Sequence, residues 1–148
     1  KLDITFSVNN IIGFPDETRE LAFDTIELNR RFNSDNTSCS ILVPFHGTEL
    51  HAYAVEKGYL DPNVICAVSN SGESLLNMPQ WDKKDMTRLR DVFAMYIKFP
   101  KDRWPEIKRA ETDDVLRTKL REEFVKTYWS NSTAKIEDDI AEAAKGLF

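Results

Sequence analysis

Hydrophobic positions near the start of the chain recur every second residue. Leu2, Ile4, Phe6, Val8 and Ile12 fall on one side of an extended segment, and Asp3, Thr5, Ser7, Asn9 and Ile11 on the other. That alternation predicts a strand over residues 2–12, which Gly13-Phe14-Pro15-Asp16 terminates. Asp16, Glu17 and Thr18 then offer capping and first-turn acidic groups, which satisfy the unpaired N–H groups of a helix start and complement its dipole. The helix carries Ala22, Ile26 and Asn29, with Leu21, Thr25, Leu28 and Phe32 alongside, and ends near Asn33. In "TSCSILVPF" a second strand follows, with Cys39, Ile41 and Val43 alternating against Ser38, Ser40 and Leu42 until Pro44. A short helix from about Glu49 to Lys57 closes at Gly58. The β-α-β-α order implies parallel neighbouring strands covered by helices.

From about Ser69 the spacing becomes helical. Asp82 is placed to cap a helix carrying Met86, Leu89, Phe93, Tyr96 and Ile97, which Pro100 ends. "PKDRWPEIKRAE" is expected to be a connector punctuated by prolines and anchored by an aromatic residue. Residues from about Asp113 to Trp129 repeat the amphipathic pattern with Val115, Leu116, Leu120, Phe124 and Val125. Ser132 opens a last predicted helix, with Ile136, Ile140, Ala143 and Leu147 on one side and Gly146 near its end. The expected division is therefore 1–68 for the β/α units and 69–148 for a helical extension, with no repeat or low-complexity tract.

The two strands differ from an ordinary covered parallel sheet, which is apolar on both faces. Here Thr5, Ser7, Asn9, Ser38 and Ser40 make the second face polar. Two readings fit: a lumen face with a ligand at the carboxyl ends of the strands, near Asn9, Ile11, Gly13 and Pro44, or small polar residues on a solvated sheet face.

Composition narrows the function classes. With 148 residues and 41% hydrophobic content the chain can form a core, and no apolar run is long enough to cross a membrane. A formal charge of −5 and the interleaving of Lys83, Lys84, Arg88 and Arg90 with acids argue for a solvated helix face and against a nucleic-acid footprint. Cys39 and Cys66 lie far apart and form no metal-ligand pattern with His46 or His51, whose spacing also differs from H-E-x-x-H. Reduced cysteines and a cytoplasmic location are the expectation. Asn36-Thr37-Ser38 and Asn131-Ser132-Thr133 match the glycosylation sequon by chance on this reading. Trp81, Trp104 and Trp129 are expected to be packing anchors. Lys1 follows no initiator Met or signal-peptide pattern, which leads to the expectation that further sequence precedes it.

"NNIIGFPDET" resembles the motif on the fifth barrel strand of the radical S-adenosylmethionine superfamily, of the form G-x-I-x-G-x-x-E or I-x-G-x-P-G-E-T. "ILVPFHGTEL" resembles the following strand and loop, often P-x-P-G-T-x-L, and "KGYL" the end of the next helix. "LLNMPQWDKKDMTRLRDVFAMYIKFPKDRWPEI" is similar to the helical C-terminal extension of members that carry a cobalamin-binding domain. The likeness covers roughly residues 3–110, with its specific motifs in the first 60. It implies the C-terminal part of a partial (β/α)6 TIM-like barrel followed by an α-helical extension.

The resemblance also implies an adenosylmethionine site. By position, Ile11 would pack near the adenine, Gly13 would let the backbone turn closely, and Val43 and Pro44 would approach the base from the next loop; Asn9 stands where the motif often has Gly. Asp16 stands where many members have Gly before the Glu-Thr pair, a departure that bears on the helix start. Ser7, Ser40 and His46 are candidates to face a substrate. The family's C-x-x-x-C-x-x-C motif, which holds a 4Fe-4S cluster, is absent, as is a cobalamin-binding Asp-x-His-x-x-Gly pattern. Cluster and cobalamin would accordingly be bound by residues outside this chain, and its first partner would be the missing N-terminal part of the same polypeptide. The implied reaction is reductive cleavage of adenosylmethionine to a 5′-deoxyadenosyl radical, with an external electron donor, a small-molecule substrate and, in this group, cobalamin-dependent methyl transfer; this chain alone would be inactive. The competing reading is a non-catalytic α/β module whose helical half, acidic and bearing three tryptophans, binds a protein partner.

Overall fold

A computed structural model describes residues 6–65 and 72–129 of the chain. The start of the first predicted strand, Cys66, the second sequon and the helix expected from Ser132 lie outside the described residues. The elements run β1 (Ser7–Ile12), α1 (Arg19–Phe32), β2 (Asn36–Ile41), α2 (Glu49–Glu56), α3 (Lys83–Lys98), a 3-10 turn (Lys101–Arg103), α4 (Trp104–Ala110), α5 (Asp114–Phe124) and a π turn (Val125–Trp129). The fold is thus α/β, with five α-helices and one parallel pair of strands among the described residues.

β1 and β2 pair in parallel from Ser7↔Asn36 to Ile12↔Ile41. The ladder gains one further rung at its carboxyl end, where the Leu42 N–H donates to the Ile12 carbonyl at 2.8 Å. α3 lies across β2 and beside α1, so one face of the pair is covered. On that face Asn10, Ile12 and Thr37 are buried and Val8, Cys39 and Ile41 half-buried; Ser7, Asn9, Ile11, Ser38 and Ser40 face outward and are exposed. Phe6, expected on the covered side, precedes β1 and is 47% exposed.

The covered face contains one polar device that alternation alone does not explain. The Asn10 amide donates to Thr37 Oγ1 at 3.2 Å and to the Ser38 carbonyl at 3.0 Å, while its oxygen accepts from the Asn29 amide at 2.7 Å. Asn29 also donates to the Thr25 carbonyl. The two amides are therefore partnered, which is the condition under which buried polar groups are tolerated. They fix α1 against β1 with a specificity an apolar pair would lack.

Thr18 and Asp82, expected as caps, open α1 and α3, and Thr48 and Asp113 do the same for α2 and α5, each accepting from a first-turn N–H. α1 closes on Asn33 in the left-handed region at φ 47°. Of its two apolar rows, Ala22 and Ile26 are buried, with Asn29, while Leu21, Leu28 and Phe32 are about half exposed. Arg30 donates to the carbonyls of Tyr96, Ile97 and Phe99 at 2.7–2.8 Å, so α1 supplies the partners that the end of α3 lacks.

The connector expected at "PKDRWPEIKRAE" is instead a 3-10 turn leading into α4. Pro105 stands in the first turn of α4, where a missing N–H costs no hydrogen bond, so the proline starts this helix. Trp104 packs edge-on to Phe23 and Tyr96, with ring centroids 5.6 and 5.4 Å away, and Trp81 is 3% exposed. Both are packing residues. The buried cluster runs without a break from Ile12, Ala22 and Ile26 through Met86, Leu89 and Phe93 of α3 to Ile107 and Leu120.

Candidate functional site

The chemistry-bearing residues converge where β1 and β2 end. Gly13 turns the chain at φ +86°, a conformation that side chains rarely adopt. A Cβ there would lie 3.2 Å from Met86 Sδ and 3.5 Å from Ile41 Cγ2, so the turn is seated directly on the core. Glu17 closes it. One carboxylate oxygen accepts from the N–H groups of Gly13 and Phe14, the second at 2.9 Å. Burial raises the Glu17 pKa, and those two backbone N–H groups work in the opposite direction.

Asp16 occupies the left-handed region at φ +66°. Aspartate is among the few residues other than glycine that accept this conformation. Its carboxylate accepts from the Tyr53 hydroxyl and, at 2.8 Å, from the Tyr59 hydroxyl. The Tyr53 bond, then the Tyr59 bond, hold the Asp16 carboxyl below its ordinary range.

Beside this turn lies an apolar groove of about 390 Å³, within the size range of small-molecule sites. Ile11 forms one wall, the segment from Ile41 to Phe45 forms the floor and far side, and Thr48 and Leu50 of the α2 start complete it. The strand ladder ends at Leu42, so the backbone of Val43 and Pro44 leaves the sheet beside the groove. Thr48 keeps this loop tight, donating its hydroxyl hydrogen to the Phe45 carbonyl at 2.7 Å and accepting from the His51 N–H.

Ile11, Val43 and Pro44 are therefore brought together as lining of one groove, with Gly13 buried in the adjoining turn. Ser7 and Asn9 precede Ile11 along the exposed strand face, and Ser40 is the register partner of Ile11. Asn9 accepts from the Ser38 hydroxyl at 2.7 Å. His46 stands outside the lining: its Nε2 is 2.9 Å from the Val64 carbonyl, and its ring is 4.3 Å from that of His51. Sequence reasoning missed Phe45, Thr48, Leu50 and Glu17. The first three lie inside the quoted "ILVPFHGTEL", but only the three-dimensional turn shows that they line the same groove as Ile11.

A cavity of about 410 Å³ opens elsewhere, between Cys39 of β2, Arg90 and Met95 of α3 and Arg121 and Phe124 of α5. It lies on the covered side of the strands, away from their carboxyl ends, where ligands bind in open parallel sheets. Burial pushes the Cys39 thiol up to about 12. Among the described residues no group of three or more His, Cys, Asp or Glu could hold a metal ion, and no helix is long and apolar enough to cross a membrane.

The chain is 42% identical over 50 residues to an uncharacterized methyltransferase from Pyrococcus horikoshii, a match covering 34% of this chain and 11% of that protein. No protein-family profile and no solved structure matches.

Proposed function

We propose that this chain forms the adenosyl-facing end of a radical S-adenosylmethionine enzyme, in which the groove at the exit of β1 and β2 receives the adenine of the cofactor. The observation that carries the reading is the groove itself. Ile11, Val43 and Pro44 line it together at the carboxyl ends of two parallel strands, next to a glycine turn. The partial likeness to a methyltransferase supports use of a methyl donor of this class.

The donor set suits a nucleoside. Ile11, Val43 and Pro44 offer apolar surface to the faces of a flat base, and Phe45, on the same lining, offers an aromatic ring for stacking. Where the ladder ends, the backbone leaving the sheet can meet the base edge, which apolar side chains cannot. Ser7, Asn9 and Ser40 extend a small polar surface away from the groove, the direction left for the sugar and the substrate. A 4Fe-4S cluster does not fit the described residues, since no three of their His, Cys, Asp or Glu side chains are grouped to hold a metal, so no step is assigned to this chain through it. A 4Fe-4S cluster held by residues outside this chain would supply the electron for cleavage of adenosylmethionine; the residues here would bind and orient the adenosyl portion.

The test is production of 5′-deoxyadenosine by the intact protein, prepared anaerobically with iron and sulfide and given adenosylmethionine and a reductant. The wild type is expected to form it. Ile11→Asp, which places a charge on the apolar wall, is expected to lower kcat/KM for adenosylmethionine by at least about tenfold. Because Ile11 is 51% exposed, this variant should keep its thermal midpoint. A wild type that holds its cluster and forms no product would refute the reading.

A further inference from the structure

We infer that Asp16 is a positioning residue: with Tyr53 and Tyr59 it clamps α2 to the β1–α1 turn and so sets the separation of the two walls of the groove. The clamp is read from geometry alone; its bearing on adenosylmethionine rests on the function proposed above.

Asp16 stands five residues beyond Ile11, and the turn between them is held rigid by the Glu17 bonds to Gly13 and Phe14. The Gln80 amide donates to the Glu17 carbonyl at 3.2 Å, which ties the same turn to the segment before α3. On the other side, Tyr53 belongs to α2, the helix whose first turn contributes Leu50 to the groove, with Thr48 as its cap. Tyr59 lies just past the helix, where Gly58 reverses the chain at φ +71°. Its N–H donates to the Ala54 carbonyl at 2.9 Å and its own carbonyl accepts from the Asn77 N–H at 2.7 Å. One carboxylate thus joins an element bearing one wall to an element bearing the other. Lys57 Nζ, 5.3 Å from the Tyr53 ring centroid, adds a cation beside the pair.

The backbone at Asp16 makes the side chain's role separable. A left-handed conformation is strained for a non-glycine residue, so glycine would be the easier choice for the turn. Asp16 meets that cost and receives two hydroxyl bonds in a charge-assisted geometry. Asp16→Gly therefore removes the clamp while relieving the backbone, so a merely unfolded variant is not the expected outcome. Tyr53→Phe with Tyr59→Phe removes the same bonds from the far side and leaves the turn untouched.

Both variants should be made in the intact protein and compared by amide hydrogen exchange and by steady-state kinetics. Expected is a rise in exchange of at least about tenfold in the α2 segment, at a nearly unchanged global unfolding midpoint. KM for adenosylmethionine should rise severalfold with kcat little changed, and Asp16→Asn, which keeps one of the two acceptor oxygens and tolerates positive φ, should lie between the wild type and Asp16→Gly. Unchanged α2 exchange in both variants would overturn the clamp. Faster exchange with an unaltered KM would overturn its positioning role. If the wild type forms no deoxyadenosine, the proposed function fails, while the exchange comparison still decides the clamp.

Discussion

Replacing Gly13 with valine is expected to lower the stability of the folded chain by about 3 kcal/mol, the sum of a positive-φ penalty and overpacking of a filled site. Both terms are visible at this position. The backbone sits at φ +86°, and even a bare Cβ would come within 3.2 Å of Met86 Sδ, a core side chain with no exposure. Valine adds two further carbons to that space. For a domain of this size the loss corresponds to a fall of roughly 10 °C in thermal midpoint, readable by circular dichroism. Gly13→Ala should lose about half as much, because it carries the backbone cost and only the first part of the clash. The same comparison separates the groove from its support. Gly13→Val is expected to abolish cofactor binding by moving the turn, whereas Ile11→Asp changes the wall of a fold that stays intact. A Gly13→Val protein as stable as the wild type would show that the turn does not sit on the core as described.

The second large effect is expected where the start of α1 meets the end of α4. Glu111→Ala should cost about 2–3 kcal/mol, somewhat below the value for breaking a fully buried ion pair, because Arg19 keeps partial access to water. Glu111 is 3% exposed and accepts from Arg19 at 2.6 Å, from the Tyr96 hydroxyl at 2.6 Å and from Lys108 at 2.9 Å. Removing it strands a buried phenol and a guanidinium that joins the start of α1 to the end of α4. The network also sets a pH dependence. Burial, then the bond to Glu111, raises the Tyr96 pKa well above the usual tyrosine value. A group whose folded pKa is raised contributes its full stability below the unfolded value and loses it above. Urea unfolding of the wild type should therefore show stability declining as pH rises past about 10, with a shallower decline in Tyr96→Phe. An identical slope in the two proteins would contradict this account of Tyr96.

Much of the local structure is legible in the residues. Thr18 and Asp82 mark helix starts because each precedes a helical run and carries an oxygen that reaches a first-turn N–H. Asn33 and Gly58 mark ends through positive φ. The polar side of the strands is also legible, since period two assigns Ser7, Asn9, Ser38 and Ser40 to one face without a fold. What escapes depends on partners distant in sequence. Periodicity gives α1 two adjacent apolar rows and cannot say that Ala22 and Ile26 are covered while Leu21, Leu28 and Phe32 are half exposed. Asn10 interrupts an apolar face, and only its pairing with Asn29 explains it. Pro105 suggests a break because proline is read as one in mid-helix, but in a first turn it is neutral. Asp16 appears only to cap a helix, yet it makes its bonds to Tyr53 and Tyr59, thirty-seven and forty-three residues away.

The most direct measurement is photolabelling of the intact protein with an azido-adenine derivative of adenosylmethionine, followed by peptide mapping. Label is expected on the peptide carrying Ile11 or on residues 41–50, and it should be suppressed by excess adenosylmethionine and lost in Ile11→Asp. Efficient, competable labelling confined to other peptides would contradict placement of the adenosyl group at the end of β1 and β2.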